Sequence, residues 1–306
     1  MSSPSSLQAV FFALGGNLLI AIIKFFVAFF TNSSAMLAEG IHSTADSINQ
    51  VFLLIGSKRS KKKETEEHSF GYGKEEYFWG FMVAILLFTG GAVFSVYEGY
   101  HKLLAPEPLK NVWWIFGVLT VSILIETKSY LVAYKEFKKI RSDKSFFKSI
   151  RNLNDTNILV IILEDLAALT GLIIVLISSI LAYFFDPLFD AVGSIFVGIL
   201  LAYVSYTMTR ELKNLLVGES ISREVRAEIK RIIETDTIVK HINDINSMMI
   251  GRGEFLLNIS IDVKDGTLGY DIEDHIEKIK LKIIDKHPQA KSIFIEIKDA
   301  VRNTRV

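Results

Sequence analysis

The sequence predicts an all-α membrane bundle of six spanning helices, followed by a small cytoplasmic α+β domain. Half of the 306 residues are apolar, and they stand in long runs separated by short segments that are crowded with Lys and Glu. Soluble proteins distribute charge along every amphipathic element, so this blockwise arrangement is typical of membrane proteins. After residue 210 the charges become regular. The predicted domains are therefore residues 1–210 for the bundle and 211–306 for the α+β domain.

Six segments are long and apolar enough to be spans, since a bilayer core requires roughly 20 residues per helix. The candidate spans are Leu7–Phe30, Ala35–Gly56, Tyr77–Leu103, Val112–Tyr134, Asn157–Phe185 and Pro187–Met208. The Ser/Pro-rich start has neither a positive segment nor a small-residue cleavage site. The first span is therefore predicted to be a retained helix and not a signal peptide.

The loops predict how the spans are oriented. The segment after the second span reads SKRSKKKETEEH, and the segment after the fourth reads KEFKKIRSDKSFFKSIR. The alternate loops are short and nearly free of positive charge, so the positive-inside rule places both termini and both basic loops in the cytoplasm. The lysine runs could also bind lipid or a partner. The lack of a transit or signal segment suits a multi-pass protein of a prokaryotic inner membrane.

The C-terminal residues follow the pattern of a ferredoxin-like αββαβ domain. Apolar residues recur at helical spacing in two segments and alternate in three others. The predicted elements, in order, are helix Ser222–Glu234, strands Ile242–Ile250 and Phe255–Val263, helix Tyr270–His287 and strand Ser292–Ile297. The Gly251-Arg252-Gly253 turn separates the first two strands. A domain of this size is marginally stable alone, which favours a homodimer.

Composition excludes several classes of function. The formal net charge is zero, so nothing indicates nucleic acid as a partner. The chain has no Cys, which excludes disulfides and thiolate metal sites. Neither a nucleophile–base pair nor a phosphate-binding loop is evident, so an enzyme is not predicted. A channel is disfavoured, because the outer loops are short and lack a filter segment.

The second span carries three ionisable residues, Glu39, His42 and Asp46. Each costs on the order of 3 kcal/mol at the centre of a bilayer, so their presence indicates function. Spacings of three and four place them on one helix face. An imidazole nitrogen and a carboxylate oxygen one turn apart can bind Zn²⁺ or a similar ion. The alternative is a buried hydrogen-bonded cluster.

The fifth span carries Glu164 and Asp165. Adjacent helical residues point about 100° apart, so one of the two is expected to face the bundle interior. The alternative is a structural ion pair with Lys24 or Lys128. Hydrogen bonds between helices explain three further polar residues as well as function does: Asn17, Asn49 and Glu126.

At these residues the sequence resembles the cation diffusion facilitator family, over essentially the whole chain. The resemblance rests on GGNLLIAIIKFFVAFFTNSSAMLAEGIHSTADSINQ, HSFGYGKEEYFWG, LEDLAALTGLIIVLI, DPLFDAVGSIFVGILL and the α+β tail. The forms SSAMLAEGIHSTADS, LEDLAALTG and LLVGES are most similar to the branch that contains the mitochondrial zinc exporter.

The resemblance implies a homodimer that exchanges a divalent cation, usually Zn²⁺, for protons by alternating access. The family's transport site lies on the second and fifth spans, where His42, Asp46 and Asp165 match its motifs. Ile161 stands where the family commonly has His or Asp. Glu39, Glu164 or water would then complete the shell, and an oxygen-rich set would loosen the preference for Zn²⁺ over Mn²⁺ or Fe²⁺. Cd²⁺ is a further possible substrate. Ile161 also favours the alternative of a non-transporting scaffold or regulator.

This sequence lacks some of the ligands found at the family's other metal sites. Tyr72 replaces a second His and leaves His68 alone, and Phe294–Ile297 replaces a His followed by a carboxylate. Three tail histidines remain candidates: His241, His275 and His287. Without that metal, the tail is predicted to be a dimer clamp. Because an imidazole titrates near neutral pH and binds metal when neutral, metal uptake at His42 is expected to release a proton.

Overall fold

The computed structural model describes residues 4–140, 156–251 and 253–299. The chain forms two compact units. One comprises residues 1–58 and 78–213, and the other comprises residues 59–77 and 214–306. Most of the second basic segment and Arg252 of the predicted turn lie outside the described residues.

The first unit is helical, and each predicted span lies in a helix to within one residue at either end. The helices are α1 (Pro4–Thr31), α2 (Ser34–Arg59), α3 (Glu75–Leu104), α4 (Val112–Ile140), α5 (Thr156–Phe184) and α6 (Leu188–Val217). Within the described ranges, four of them, α3 to α6, are long and apolar enough to cross a membrane. Helix α1 adds a shorter apolar stretch, Asn17–Thr31, and polar residues interrupt α2. The mostly helical architecture is confirmed, whereas the count of six spans stays a prediction.

Helices α3 and α6 approach each other through glycine. A Cβ added at Gly99 would lie 2.8 Å from the carbonyl oxygen of Ala191, and one added at Gly198 would lie 2.9 Å from that of Ala92. The middle of α3, Leu87–Val93, is a π-helical segment. Such segments disturb the regular carbonyl pattern of a helix, and hydroxyls of α6 donate to two α3 carbonyls in hydrogen bonds of 2.7 and 2.8 Å.

The second unit has the predicted order of helix, strand, strand, helix and strand. The elements are α7 (Arg223–Glu234), β1 (Val239–Gly251), β2 (Glu254–Val263), α8 (Gly269–Lys286) and β3 (Ala290–Ile297). Strand β2 pairs antiparallel with β1 and parallel with β3. Ile229 and Ile233 of α7 and Ile279 and Ile283 of α8 are fully buried in the core against the sheet, as their helical spacing requires.

Residues 59–77, which include the first basic segment, also belong to this second unit. Glu64 pairs with Lys291 at 2.8 Å, and the hydrogen bond from this ammonium holds the pKa of the Glu64 carboxyl below its usual value. Phe70 packs edge-on against Phe294, and Tyr77 is fully buried in the core. The first basic segment is thus packed against the α+β domain.

Replacing Gly251 with alanine is expected to detach this segment. Gly251 has a φ of +111°, and a Cβ there would lie 2.0 Å from the carbonyl carbon of Gly73. Gly253 has a φ of +71° but no atom within 4 Å of an added Cβ, so Gly253→Ala shares the backbone strain of ~1 kcal/mol or more without the clash. In the full chain, tryptic cleavage at Lys61–Lys63 should be clearly faster for Gly251→Ala than for Gly253→Ala. Equal cleavage rates would show that the contact does not hold the segment.

Candidate metal site

A polar face of α2 is at the centre of the site. Glu39, His42, Asp46 and Asn49 follow one another at steps of three and four residues, so they share one side of the helix. Glu39, His42 and Asn49 are each at most 1 % exposed. The predicted clustering of Glu39, His42 and Asp46 is therefore present, and Asn49 extends it by one turn.

Several polar atoms of this face are buried and unsatisfied. His42 Nδ1 lies 3.6 Å from Asp46 Oδ1, beyond a hydrogen bond. Within the described part of the chain, both His42 nitrogens, Asp46 Oδ1 and Asn49 Oδ1 have no hydrogen-bond partner. Each unsatisfied group costs about 1–3 kcal/mol, so the cluster is suited to a cation or to water that would satisfy it.

Glu39 is compensated by a neighbouring helix. Lys24 of α1 is 1 % exposed and donates to Glu39 Oε2 at 3.0 Å and to Ser43 Oγ at 2.8 Å. The ion pair of Lys24 with Glu164 or Asp165, which the sequence left open, is replaced by this one. Because Lys24 neutralises its charge, Glu39 is less suited than His42 or Asp46 to bind a cation directly.

The two acids of α5 face different neighbours. Glu164 is 8 % exposed, accepts a hydrogen bond of 3.1 Å from Asn49 Nδ2 and lies beside the Asp46 carboxyl. Asp165 is half-buried and accepts a hydrogen bond of 3.2 Å from Ser129 of α4. Glu164 is therefore the α5 acid nearest to the polar face of α2.

A cavity of about 420 Å³ adjoins part of this cluster; Glu39, His42 and Asn49 are not in its lining. Four carboxyls line it, Asp46, Glu126, Glu164 and Asp165, and none of its described lining residues is basic. The sequence left open whether Glu126 serves helix packing or function, and its place in the lining of this cavity favours function. A single acid beside a cavity would not by itself indicate a ligand site. Four acids around one cavity favour the binding of a cation.

A second cavity, of about 660 Å³, continues from the first. The two share Ile125, Ser129 and Ile161, and Lys128 and Glu136 line the second one. Ile161 therefore occupies a position from which a polar side chain would reach the acidic cavity. The donors surround a space and do not form a closed coordination shell: among the described residues, no three His, Asp or Glu side chains are placed to hold one ion.

The family model of the cation efflux transmembrane domain matches residues 10–217. The chain belongs to the cation diffusion facilitator family. This confirms the resemblance, and with it the expectation that the protein is not an enzyme, because members of this family are metal transporters of the membrane.

Two similar proteins within the family carry different metals in their names, zinc and manganese. The chain is 31 % identical over 261 residues to the mitochondrial proton-coupled zinc antiporter SLC30A9 of Mus musculus, covering 83 % of this chain and 46 % of that protein. It is 26 % identical over 274 residues to the manganese efflux system protein MneP of Bacillus subtilis (strain 168), covering 89 % of each. It is 25 % identical over 240 residues to the magnetosome protein MamB of Magnetospira sp. (strain QH-2). The chain spans about half the length of its zinc antiporter relatives.

Other histidines of this cation diffusion facilitator chain have partners of their own. His68 stacks on Tyr72 at 4.3 Å between ring centroids. In the second unit, His275 pairs with Asp236 at 2.8 Å, and His287 lies 3.2 Å from Glu228. These pairs give His275 and His287 a structural role, which weakens them as candidates for a separate metal site, whereas the candidacy of His241 stays a prediction.

Proposed function

We propose that this chain exports a divalent metal cation, principally Zn²⁺, from the cytoplasm in exchange for protons. The observation that carries the proposal is the cavity of about 420 Å³ with four carboxyls and no described basic residue in its lining. Ionisable groups are costly inside an apolar bundle, and a cation that crosses the bundle would repay that cost. Family membership supports the same function.

His42, Asp46 and Glu164 are the proposed inner ligands. They belong to the buried polar cluster of α2 and α5, and the unsatisfied atoms of His42 and Asp46 are available to an ion. Asp165 and Glu126 line the same cavity and would complete the shell as the helices move. Glu39 is assigned instead to the ion pair with Lys24. This set of one nitrogen and several oxygen donors suits Zn²⁺ and also accepts Mn²⁺.

Proton exchange follows from the ligands themselves. Imidazole and carboxyl groups bind a metal ion in their deprotonated forms, so metal and protons compete for the same atoms. Ion entry would release protons to one side, and protonation from the other side would expel the ion. Antiport then requires no separate proton path.

The cavities support loading from the cytoplasm. They lie towards the ends of the helices at which α2 reaches Ser57 and α4 reaches Glu136. The two basic segments of the sequence follow these helix ends, and the positive-inside rule assigns them to the cytoplasm. We further propose that both termini are cytoplasmic and that the chain works as a homodimer.

Reconstituted proteoliposomes test this function. With the chain in the membrane and a metal-sensitive dye inside, Zn²⁺ uptake should be driven by an imposed pH gradient and should be accompanied by counterflow of protons. Parallel assays with Mn²⁺, Fe²⁺ and Cd²⁺ rank the substrates. Flux that is insensitive to the pH gradient would refute proton coupling, and the absence of flux for every metal would favour the scaffold alternative.

Replacing Ile161 with histidine is expected to sharpen the preference for Zn²⁺. The new imidazole would enter the acidic cavity one turn before Asp165 and add the nitrogen donor that zinc favours. Calorimetric titration should show Zn²⁺ affinity raised relative to Mn²⁺ by at least ~10-fold, a factor that corresponds to about 1.4 kcal/mol. Ile161→Val keeps the position apolar and should leave the ratio unchanged. An unchanged ratio in the histidine variant would place Ile161 outside the ligand shell.

A further inference from the structure

Asp190, near the start of α6, is fully buried and forms an extended set of bonds that the proposed chemistry does not use. Its carboxylate accepts hydrogen bonds from Ser33 Oγ at 2.6 Å, from Ser34 N at 2.7 Å and from Ser34 Oγ at 3.0 Å. The amide of Ala35 lies 3.4 Å away, and the ammonium of Lys102 from α3 lies at 3.3 Å. One side chain of α6 thus ties the first turn of α2 to the end of α3.

The neighbouring turn is held in the same way. Lys102 also donates to the carbonyl oxygen of Asn32, which lies between α1 and α2 and has a φ of +58°. Asn32 Nδ2 donates to Glu107, and the Lys110 amide donates to the Thr31 carbonyl at 2.9 Å. We call Asp190, Lys102, Asn32, Ser33 and Ser34 the clasp.

Capping alone does not account for the clasp. Ser33 already caps α2, because its hydroxyl oxygen accepts a hydrogen bond from the Met36 amide at 3.1 Å. Asp190 adds a negative charge at the positive end of the helix, and Lys102 balances that charge. Buried ion pairs contribute little net stability, and their best-attested use is to select one arrangement of packed elements over another.

The clasp lies at the opposite end of the first unit from the acidic cavity and its continuation, and a third cavity of about 580 Å³ is lined by Asn32, Ser33, Ser34 and Lys102 of the clasp. The acidic cavity reaches Ser57 near the end of α2, whereas the clasp holds the start of the same helix. Between the two, α5 and α6 are tightly packed: a Cβ at Gly193 would lie 2.1 Å from Ser178 Oγ, and Ser179 is fully buried. The packed stretch around Gly193 and Ser179 therefore lies between the acidic cavity and the clasp.

We propose that Asp190 and Lys102 are positioning residues that set the placement of α2, and hence of His42 and Asp46, and that the clasp closes the transport path at this end. Release of the ion then requires the clasp to open. This proposal rests on the proposed function for the identity of the transported ion. The closure of the path depends only on how the helices pack.

Thiol labelling measures the closure directly, because the chain has no cysteine of its own. Ser57→Cys places a thiol at the edge of the acidic cavity, and Ser179→Cys places one in the packed half, each with little change in size. In the two purified single-cysteine proteins, which carry no other substitution, a charged maleimide should label position 57 and leave position 179 unlabelled. Asp190→Asn removes the pairing with Lys102 and should raise labelling at 179 by at least ~10-fold, as expected for a shift between two packed states.

Asp186→Asn is the matched control, because Asp186 caps the same helix through the Leu188 amide at 2.8 Å and has an exposed side chain. It should leave labelling at position 179 unchanged. If Asp190→Asn does not yield a monodisperse protein, Asp190→Asn/Lys102→Met removes both charges and is tested in its place. Labelling at 179 that is already high in the wild-type background, or unchanged in every folded clasp variant, would overturn the proposal.

Flux in proteoliposomes separates positioning from a general structural role. Clasp variants should lower the maximal Zn²⁺ flux while the half-saturating concentration, set by the cavity residues, stays within about twofold. A rise in the half-saturating concentration alone would contradict the proposal. If the unmodified chain moves no metal, the proposed function fails, and thiol labelling still decides whether the clasp closes the bundle.

Discussion

Asp46→Asn and Glu164→Gln should each abolish metal transport in proteoliposomes without unfolding the chain. Both substitutions keep the shape of the side chain and remove one negative charge from the buried pair of acids beside His42. Loss of even an outer partner of a metal ligand costs 10–100-fold, so loss of an inner ligand should lower Zn²⁺ flux by at least ~100-fold. Calorimetry on the same variants should show a matching loss of Zn²⁺ affinity.

Glu98→Gln provides the control for these two variants. Glu98 lies on α3 and lines a separate cavity, so its replacement removes a carboxyl from the same unit without touching the acidic cavity. It should retain flux close to that of the unmodified chain. Full flux in both Asp46→Asn and Glu164→Gln would refute the proposed ligand set, whereas equal losses in all three variants would indicate a general effect of charge.

Lys24→Met should strongly destabilise the first unit. It leaves Glu39 buried without its partner, and breaking a buried ion pair in this way costs about 3–5 kcal/mol. Lys24→Met/Glu39→Gln removes both charges and should recover most of that loss. Thermal unfolding in detergent, followed by tryptophan fluorescence, measures the two differences.

The double variant also separates two roles of Glu39. If Glu39 serves the ion pair alone, Lys24→Met/Glu39→Gln should transport Zn²⁺ at a rate near that of the unmodified chain. Glu39→Gln alone would leave Lys24 buried without a counter-charge, so it is a poor test by itself. If the double variant folds but does not bind Zn²⁺, the result would indicate that Glu39 is a metal ligand.

Much of the fold could be predicted from local patterns. The helices of the first unit coincide with the apolar runs to within a few residues at most ends, because helix length and hydropathy are properties of each segment. The order of the α+β elements followed from periodicity, with Ile229, Ile233, Ile279 and Ile283 buried as their spacing requires. The attachment of residues 59–77 to that domain could not be read in this way, since it depends on backbone contact between Gly73 and Gly251.

The sequence predicted which residues contribute to the site but not how the helices orient them towards one another. Spacing alone placed Glu39, His42 and Asp46 on one face, because a helix repeats every 3.6 residues. Helix α5 is apolar around most of its surface, so no polar stripe indicates how it is rotated, and the sequence could not tell whether Glu164 or Asp165 faces α2. Packing against α2 and α4 places Glu164 by Asn49 and Asp165 by Ser129.

By itself, the sequence determined that this is a membrane protein of the cation diffusion facilitator family, with ionisable groups inside its apolar segments. Those features follow from composition, spacing and motif, which are local. The tertiary structure decided which groups act together: Lys24 neutralises Glu39, Glu126 joins the acidic cavity, and Asp190 holds α2. Each of these relations joins residues of different helices, so it depends on how the helices pack against one another, which no single segment of the sequence encodes.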